Sequence, residues 1–483
     1  MEHALFLLWD DSFYYLEIAR NIAAGRGSTF DGLQPTNGYH PLWMSVCVKL
    51  FSAGIPDAWA PRAVLVLGLA LWGGVLLALL RRAPPVAMAA GVLLGTQAFV
   101  LKAIANGMES TVVVVVQAAI LLLALRHGET LSRPERRVAR LSLSILLACA
   151  FLARTDGGLL ALSAIAGIGW QARRHGWRTV ARVALELGTL PALTLVSFLA
   201  TNRALFGHAM QVSGELKRVT PHGFGLVAVV IAVAIAATLL LRPPRPGAGP
   251  LSTRLWAAPW YPAFLALHVG YYLGFQEYPR QWYFAPDVLW LVYLAPAAVE
   301  ALATRARADA DPGSESRAAL LATGPLLVVL GMAWLLGLRS AADPGFLPPR
   351  LADIAVAREA DRILPADAVI GSWDAGLVGW TSRHPVVNLD GVVASHAYLH
   401  ALRTGTTAAY LRQLGVTHVL NHHEDDGGLR PTALLDMVAS HFGQEAADGA
   451  VVLAQEHFTM VASSNDLAHG EHAMATTLLE LPR

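Results

Sequence analysis

Residues 110–126 read STVVVVVQAAILLLALR, an apolar run whose one charge stands at its last position. A helix of this composition is apolar all round and has no polar face to turn toward water. Hydrocarbon about 30 Å thick asks for about 20 such residues. Comparable runs lie on either side, at 63–80, 84–101, 139–153, 157–172, 181–200, 223–241, 256–274, 284–301 and 318–338. Buried helices of a soluble protein cannot absorb so many segments within 483 residues. The composition agrees, with 55% hydrophobic and 15% charged residues and a mean hydropathy of +0.47, where a soluble domain carries about a quarter charged residues. The net charge of +1 supplies no field that selects nucleic acid. Cys47 and Cys149 lie in apolar stretches without metal-ligand or redox spacing and read as packed thiols.

Arginines fill every second connection between these runs: Arg81 and Arg82, then Arg126 to Arg140, Arg173 to Arg178, Arg242 to Arg254, and Arg305 to Arg317. Basic loops stay on the cytoplasmic side. The alternation therefore puts 102–109, 154–156, 202–222, 275–283, the N-terminal stretch and everything after 338 outside. Segment 41–54 is apolar, short and interrupted by Lys49, so it reads as an amphipathic helix on the outer membrane face. The opening MEHALFLLWDD offers only an apolar stub before the first polar loop, which predicts that a first membrane helix is missing from the start. The expected fold is a polytopic α-helical membrane protein of about 10–11 spans over 1–340, its first outer loop at 9–43, followed by a non-cytoplasmic α/β domain over 341–483. In that tail, helical periods near 351–363 and 431–441 alternate with apolar runs at 367–371, 385–389, 416–420 and 450–454 that read as buried strands.

The polar chemistry sits in the outer loops. Asp10 and Asp11 open a helical segment that Gly25 ends, with Tyr14, Tyr15 and Ile18 able to share a face with Asp11. Adjacent carboxylates near a low-dielectric surface raise one another's pKa, which suits a general base; plain helix capping by Asp11 or Ser12 is the competing account. Asn106-Gly107-Met108-Glu109 and Arg154-Thr155-Asp156-Gly157 interrupt apolar spans, where ionisable groups are expensive. Arg154 and Asp156 also fit a simple mutual pair. Lys217 and Arg218 in one loop, and Arg280 with Trp282 and Tyr283 in another, place cations among aromatic rings, a pattern suited to a phosphate carried on a lipid. Strand ends at Ser372-Trp373-Asp374 and Asn388-Leu389-Asp390 are further ligand-contact candidates. The His422-His423 pair with Glu424, Asp425 and Asp426 fits no defined metal site and reads as a solvated loop. No Gly-x-x-x-x-Gly-Lys phosphate loop, serine elbow or zinc-peptidase signature is present.

The order of an acidic pair, Gly38-Tyr39-His40-Pro41-Leu42-Trp43, Gly107-Met108-Glu109, Arg154-x-Asp156-Gly157 and Arg280-x-Trp282-Tyr283 resembles bacterial members of the GT-C glycosyltransferase superfamily. The superfamily includes lipid-linked oligosaccharyltransferases and protein O-mannosyl, lipid A aminoarabinose and mycobacterial arabinofuranosyl transferases. The resemblance implies a multi-pass enzyme of the bacterial cytoplasmic membrane. It implies transfer of a sugar from a polyprenyl-phosphate donor to a glycan, lipid or protein acceptor outside, with inversion. It implies Asp10 or Asp11 as base, and Glu109 as a group that meets substrate or, with Asp11, a metal. Tyr14, Tyr15, His40, Arg154, Asp156, Lys217, Arg218, Arg280 and Tyr283 complete the expected binding set. No cofactor is required by the sequence, a divalent metal stays possible, and the bilayer is the one partner beyond donor and acceptor. The rival readings are a flippase for lipid-linked saccharides, which would need polar groups midway along the spans, and a membrane-anchored saccharide-binding protein.

Overall fold

The computed structural model describes residues 8–220, 223–241, 250–276, 279–311, 313–342, 347–424, 431–461 and 471–482. The N-terminal stub, Arg242 and Arg245, Glu277 and Tyr278, and Asp425 and Asp426 lie outside the described residues.

All ten apolar runs are helical. They form Ala60–Leu80, Pro85–Gly95 with Ala98–Ile104, Ser110–His127, Arg137–Ala153, Gly157–Ala172, Trp177–Phe206, Gly223–Leu241, Trp260–Phe275, Ala285–Ala308 and Glu315–Ala342. Among the described residues six helices are long and apolar enough to cross a membrane, seven if the pair Pro85–Gly95 and Ala98–Ile104, bent by 64°, is one span. Three of the expected spans are shorter: Arg137–Ala153 has 17 residues, Gly157–Ala172 has 16 and Trp260–Phe275 has 16. Each of the three has one end beside a polar stretch, 154–156 or Gln276. Side chains such as Phe224, Val227, Val230 and Ile231 stand exposed along Gly223–Leu241, a surface that only lipid can cover at low cost. The chain is a multi-pass membrane protein.

The arginine loops gather apart from the acidic ones. Arg81, Arg82, Arg126 and Arg136 line one cleft, at the ends of the same helices whose other ends carry Glu109 and Trp59. Pro41–Ser52 is a 12-residue helix, too short to span, that buries Trp43, Met44 and Cys47. Cys47 is buried and Cys149 half-buried, both as free thiols.

The tail builds a five-stranded sheet from β1 (Val369–Ser372), β2 (Val386–Asn388), β3 (Val416–Glu424), β4 (Val451–Val461) and β5 (Glu471–Glu480), in the order β2-β1-β3-β5-β4. β1 runs parallel to β2 and β3, whereas β5 runs antiparallel to β3 and β4. The four predicted strands are all present. His422 and His423 lie in β3 and not in a solvated loop, because the strand continues past the apolar run to pair His423 with Ala475. β5 was not legible: Met, Ala, Leu and Glu in EHAMATTLLE favour helix in isolation, and pairing with two neighbours overrides that preference.

One hydrophobic core joins the tail to the first loop, since Leu8, Phe13, Trp43 and Met108 pack in the same cluster as Ile370, Leu377, Trp380 and Leu478. Two glycines let the backbones touch there. A Cβ on Gly38 would stand 2.2 Å from the Val392 carbonyl oxygen, and one on Gly376 would stand 2.2 Å from the Asp10 carbonyl oxygen. Gly376→Ala is therefore expected to destabilise the protein by about 1–3 kcal/mol through overpacking. Thermal unfolding in detergent, with proteolysis of the tail as a second readout, checks this; an unchanged midpoint would contradict it.

Candidate active site

Helix Asp10–Ala23 begins after Trp9, whose extended backbone turns the chain into the first helical residue. Neither aspartate caps this helix; Ser12 Oγ instead donates to the Trp9 carbonyl at 2.6 Å. Asp10 caps a different helix. Its two carboxylate oxygens accept from the backbone N–H groups of Gly376 at 2.8 Å and Leu377 at 2.7 Å, at the start of helix Ala375–Thr381. Burial, with Asp374 and Asp11 adding repulsion, pushes its carboxyl up to about 7. Both Asp10 carboxylate oxygens thus hold the tail, and neither Asp10 nor Asp374 lines the cavity that holds Asp11.

Asp11, one residue on, points elsewhere. It lines a cavity of about 110 Å³ together with Tyr14, Tyr15, His40, Glu109, Arg154, Lys217 and Tyr283, eight residues in all of the predicted set. Burial raises the Asp11 pKa, Lys217 and Arg280 pull it back, and Glu109 and Asp374 raise it further. Although its partial burial opposes the charge, Asp11 raises the Lys217 pKa, and its Nζ donates to the Tyr283 hydroxyl at 3.3 Å. Arg280 is exposed and stands outside the lining, acting on Asp11 through its charge alone. Arg218 is also exposed and outside the lining, its backbone bridged to Gln276.

Glu109 is held from three sides. Tyr15 donates its hydroxyl to Oε2 at 2.9 Å, His40 Nε2 lies 3.8 Å from Oε1, and Arg154 Nε lies 4.0 Å from the same oxygen. Burial lowers the His40 pKa, favouring the neutral ring. Arg154 is buried and donates to the Trp282 carbonyl at 3.1 Å, the Tyr283 carbonyl at 3.3 Å and the Tyr272 hydroxyl at 2.6 Å. It also pairs with Asp156 at 3.3 Å. Asp156 lies behind Arg154 and off the cavity, in contact with His268 at 3.2 Å and the Tyr272 hydroxyl at 2.7 Å. Although burial opposes its charge, Arg154 holds the Asp156 carboxyl well below the usual range. The sequence did not single out His268, whose other ring nitrogen lies 3.1 Å from Asp287. The signal was available, since an imidazole in an otherwise apolar span is costly without partners. Asp11 and Glu109 do not belong to a three-ligand metal group among the described residues.

The tail closes one wall. Tyr14 donates to Asp390 Oδ2 at 3.0 Å and accepts from Asn388 Nδ2 at 3.0 Å, while Val392 and Val393 line the cavity. Burial raises Asp390 to about 7. Loop 202–216 is stitched on by Asn37, which donates to Asn202 at 2.9 Å and accepts from the Val212 N–H at 3.0 Å. Gln211, Ser213, Tyr271, Tyr272 and Gln276 also line the cavity, residues that only the packed loops bring together.

Beside the polar cavity runs an apolar groove of about 480 Å³ walled by Phe151, Leu159, Leu162, Ile165, Leu195 and Phe198. Thr155 and Tyr271 belong to both, so the two spaces adjoin.

A family model described as a domain of unknown function, DUF8728, matches residues 349–470. No curated protein matches the sequence significantly. The crystal structure of ArnT from Cupriavidus metallidurans bound to undecaprenyl phosphate superposes with a TM-score of 0.51 at 14% identity, covering 98% of this chain and 95% of that one. The same protein in the apo state gives 0.48 at 14% identity, covering 98% and 94%. With nearly the whole of both chains aligned, this protein shares the fold of that ArnT.

Proposed function

We propose that the protein is a glycosyltransferase that moves a sugar from a polyprenyl-phosphate donor to a cell-envelope acceptor at the outer face of the bacterial cytoplasmic membrane. The observation that carries this reading is the junction of a cavity holding Asp11 opposite Lys217 with an apolar groove, through Thr155 and Tyr271. Nucleotide sugars are cytoplasmic, so a site outside takes its sugar from a carrier that crosses the membrane. The groove suits prenyl units, and the polar cavity beside it suits the phosphate at their end. The solved relative bound to undecaprenyl phosphate supports a carrier of this class.

Asp11 takes the proton from the acceptor hydroxyl as its oxygen attacks the anomeric carbon. The bond from that carbon to the phosphate oxygen breaks on the opposite face, and the configuration inverts. The lipid phosphate leaves with an added negative charge, which Lys217 meets in a low-dielectric setting. Glu109, fixed by Tyr15, His40 and Arg154, orients sugar hydroxyls. The polar groups gather at one end of the bundle, which suits a transferase better than the mid-depth site of a flippase. The tail forms part of the cavity wall, which disfavours a separate binding module.

Mass spectrometry of cells lacking the protein tests the reading. A polyprenyl-phosphate sugar should accumulate beside an under-glycosylated envelope acceptor; unchanged pools of both would overturn it. Lys217→Gln is expected to lower kcat for transfer by about 10²–10³-fold, as loss of one positioned donor does, measured in membranes at saturating donor.

A further inference from the structure

Outside the cavity, three potential ligands from three separate elements converge. His208 follows helix Trp177–Phe206, Glu215 lies in the short helix Val212–Leu216, and His396 is the first residue of helix His396–Thr404 in the tail. Their ligand atoms all lie within 4.8 Å of one another. The His208 and His396 rings stack at 4.0 Å between centroids and 3° between planes, and His396 Nδ1 stands 3.9 Å from Glu215 Oε2. We propose that His208, Glu215 and His396 bind a zinc ion that fastens the loop carrying Lys217 to the C-terminal domain.

His396 argues most directly for a ligand. Its side chain is 8% exposed, and both ring nitrogens are buried without a hydrogen-bond partner. Buried polar atoms are seldom left that way, and the contact with Glu215 at 3.9 Å is too long to be a hydrogen bond. Two imidazoles and a carboxylate suit zinc, which leaves a fourth position for water. At Zn–N and Zn–O distances of about 2.0–2.2 Å, the ligand atoms must close in by about 1 Å. The exposed His208 ring and the Glu215 carboxylate, 28% exposed, are free to supply that by rotation. Arg403 already orients Glu215, 3.7 Å from the same carboxylate oxygen and donating to its backbone carbonyl at 3.2 Å, as outer partners of metal ligands do.

The site would act on the cavity by position. Gln211, Ser213, Gly214 and Lys217 of the same loop line it, so an ion at His208 and Glu215 pins the segment that holds the cation facing Asp11.

The test uses the full chain in detergent, purified by a tag without histidines, stripped with chelator and titrated with cobalt as a spectroscopic substitute for zinc. Expected are visible ligand-field bands of a four-coordinate nitrogen and oxygen site, saturating at one ion per chain and bleached by zinc. His208→Ala, at an exposed position, should weaken cobalt binding by more than the roughly 10–100-fold typical of losing an outer-shell partner. The metal-free variant should unfold at the temperature of the metal-free parent, which separates lost binding from lost folding. Absence of bands, binding well below one ion per chain, thiolate charge-transfer absorption from Cys47 or Cys149, or equal affinity in His208→Ala would each overturn the assignment.

Discussion

Asp11→Asn is expected to lower sugar transfer by about 10²–10⁴-fold, the contribution of a positioned base, with little change in donor KM or in unfolding temperature. The amide keeps the shape of the carboxyl at the cavity wall, but it cannot take a proton. The pH dependence follows from the environment. Burial raises the Asp11 pKa, and the base works only as carboxylate, so activity falls as pH drops and begins to fall at a higher pH than an ordinary aspartate would give. Asp11→Asn should erase that acid limb. Lys217→Gln should move it to still higher pH, because Lys217 is the largest influence lowering the Asp11 pKa. Transfer from a radiolabelled polyprenyl-phosphate sugar, followed across pH in washed membranes, measures all of these. An Asp11→Asn enzyme working at the parent rate would remove Asp11 from the chemistry.

Arg154→Met is expected to cost about 3–5 kcal/mol of stability, the usual result of breaking a buried ion pair from one side. The guanidinium is 3% exposed and ties Asp156 and Glu109 to the carbonyls of Trp282 and Tyr283. Without it two buried carboxylates lose their counter-charge, and the turn that positions Tyr283 loses its anchor. Arg154→Lys restores the charge but not the fork, and should recover part of the loss. Arg154→Met with Asp156→Asn should recover part as well, since one orphaned charge is then removed. Chemical denaturation in detergent checks the series; a single Met variant within about 0.5 kcal/mol of the parent would show that the network carries little.

The membrane part was legible because apolar length is a one-dimensional property, and 110–126 or 223–241 announces a helix without reference to any partner. The gathering of Asp11, Glu109, Arg154, Lys217 and Tyr283 was also foreseeable, since the arginine alternation alone sorts the loops by side. Other features depend on pairs remote in sequence. Asp10 and Asp11 are indistinguishable as neighbours in a string; only the approach of Gly376, 366 positions later, gives the first a capping role and leaves the second to the cavity. Arg280 and Arg218 looked equivalent to Lys217, and the half-burial of one cation and exposure of the others is a property of packing. The His208 and His396 rings are separated by the whole second half of the bundle, so no spacing rule connects them.

The approach of Gly38 to Val392 carries a consequence for how the protein is made. The ribosome finishes the loop bearing Asp11 long before it reaches the segment that completes the chamber around it. A nascent or clipped chain ending ahead of Val392 would leave the cavity holding Asp11 without that wall. The wall that Val392 and Val393 contribute is thereby in place only once the tail has been made and packed against the first loop.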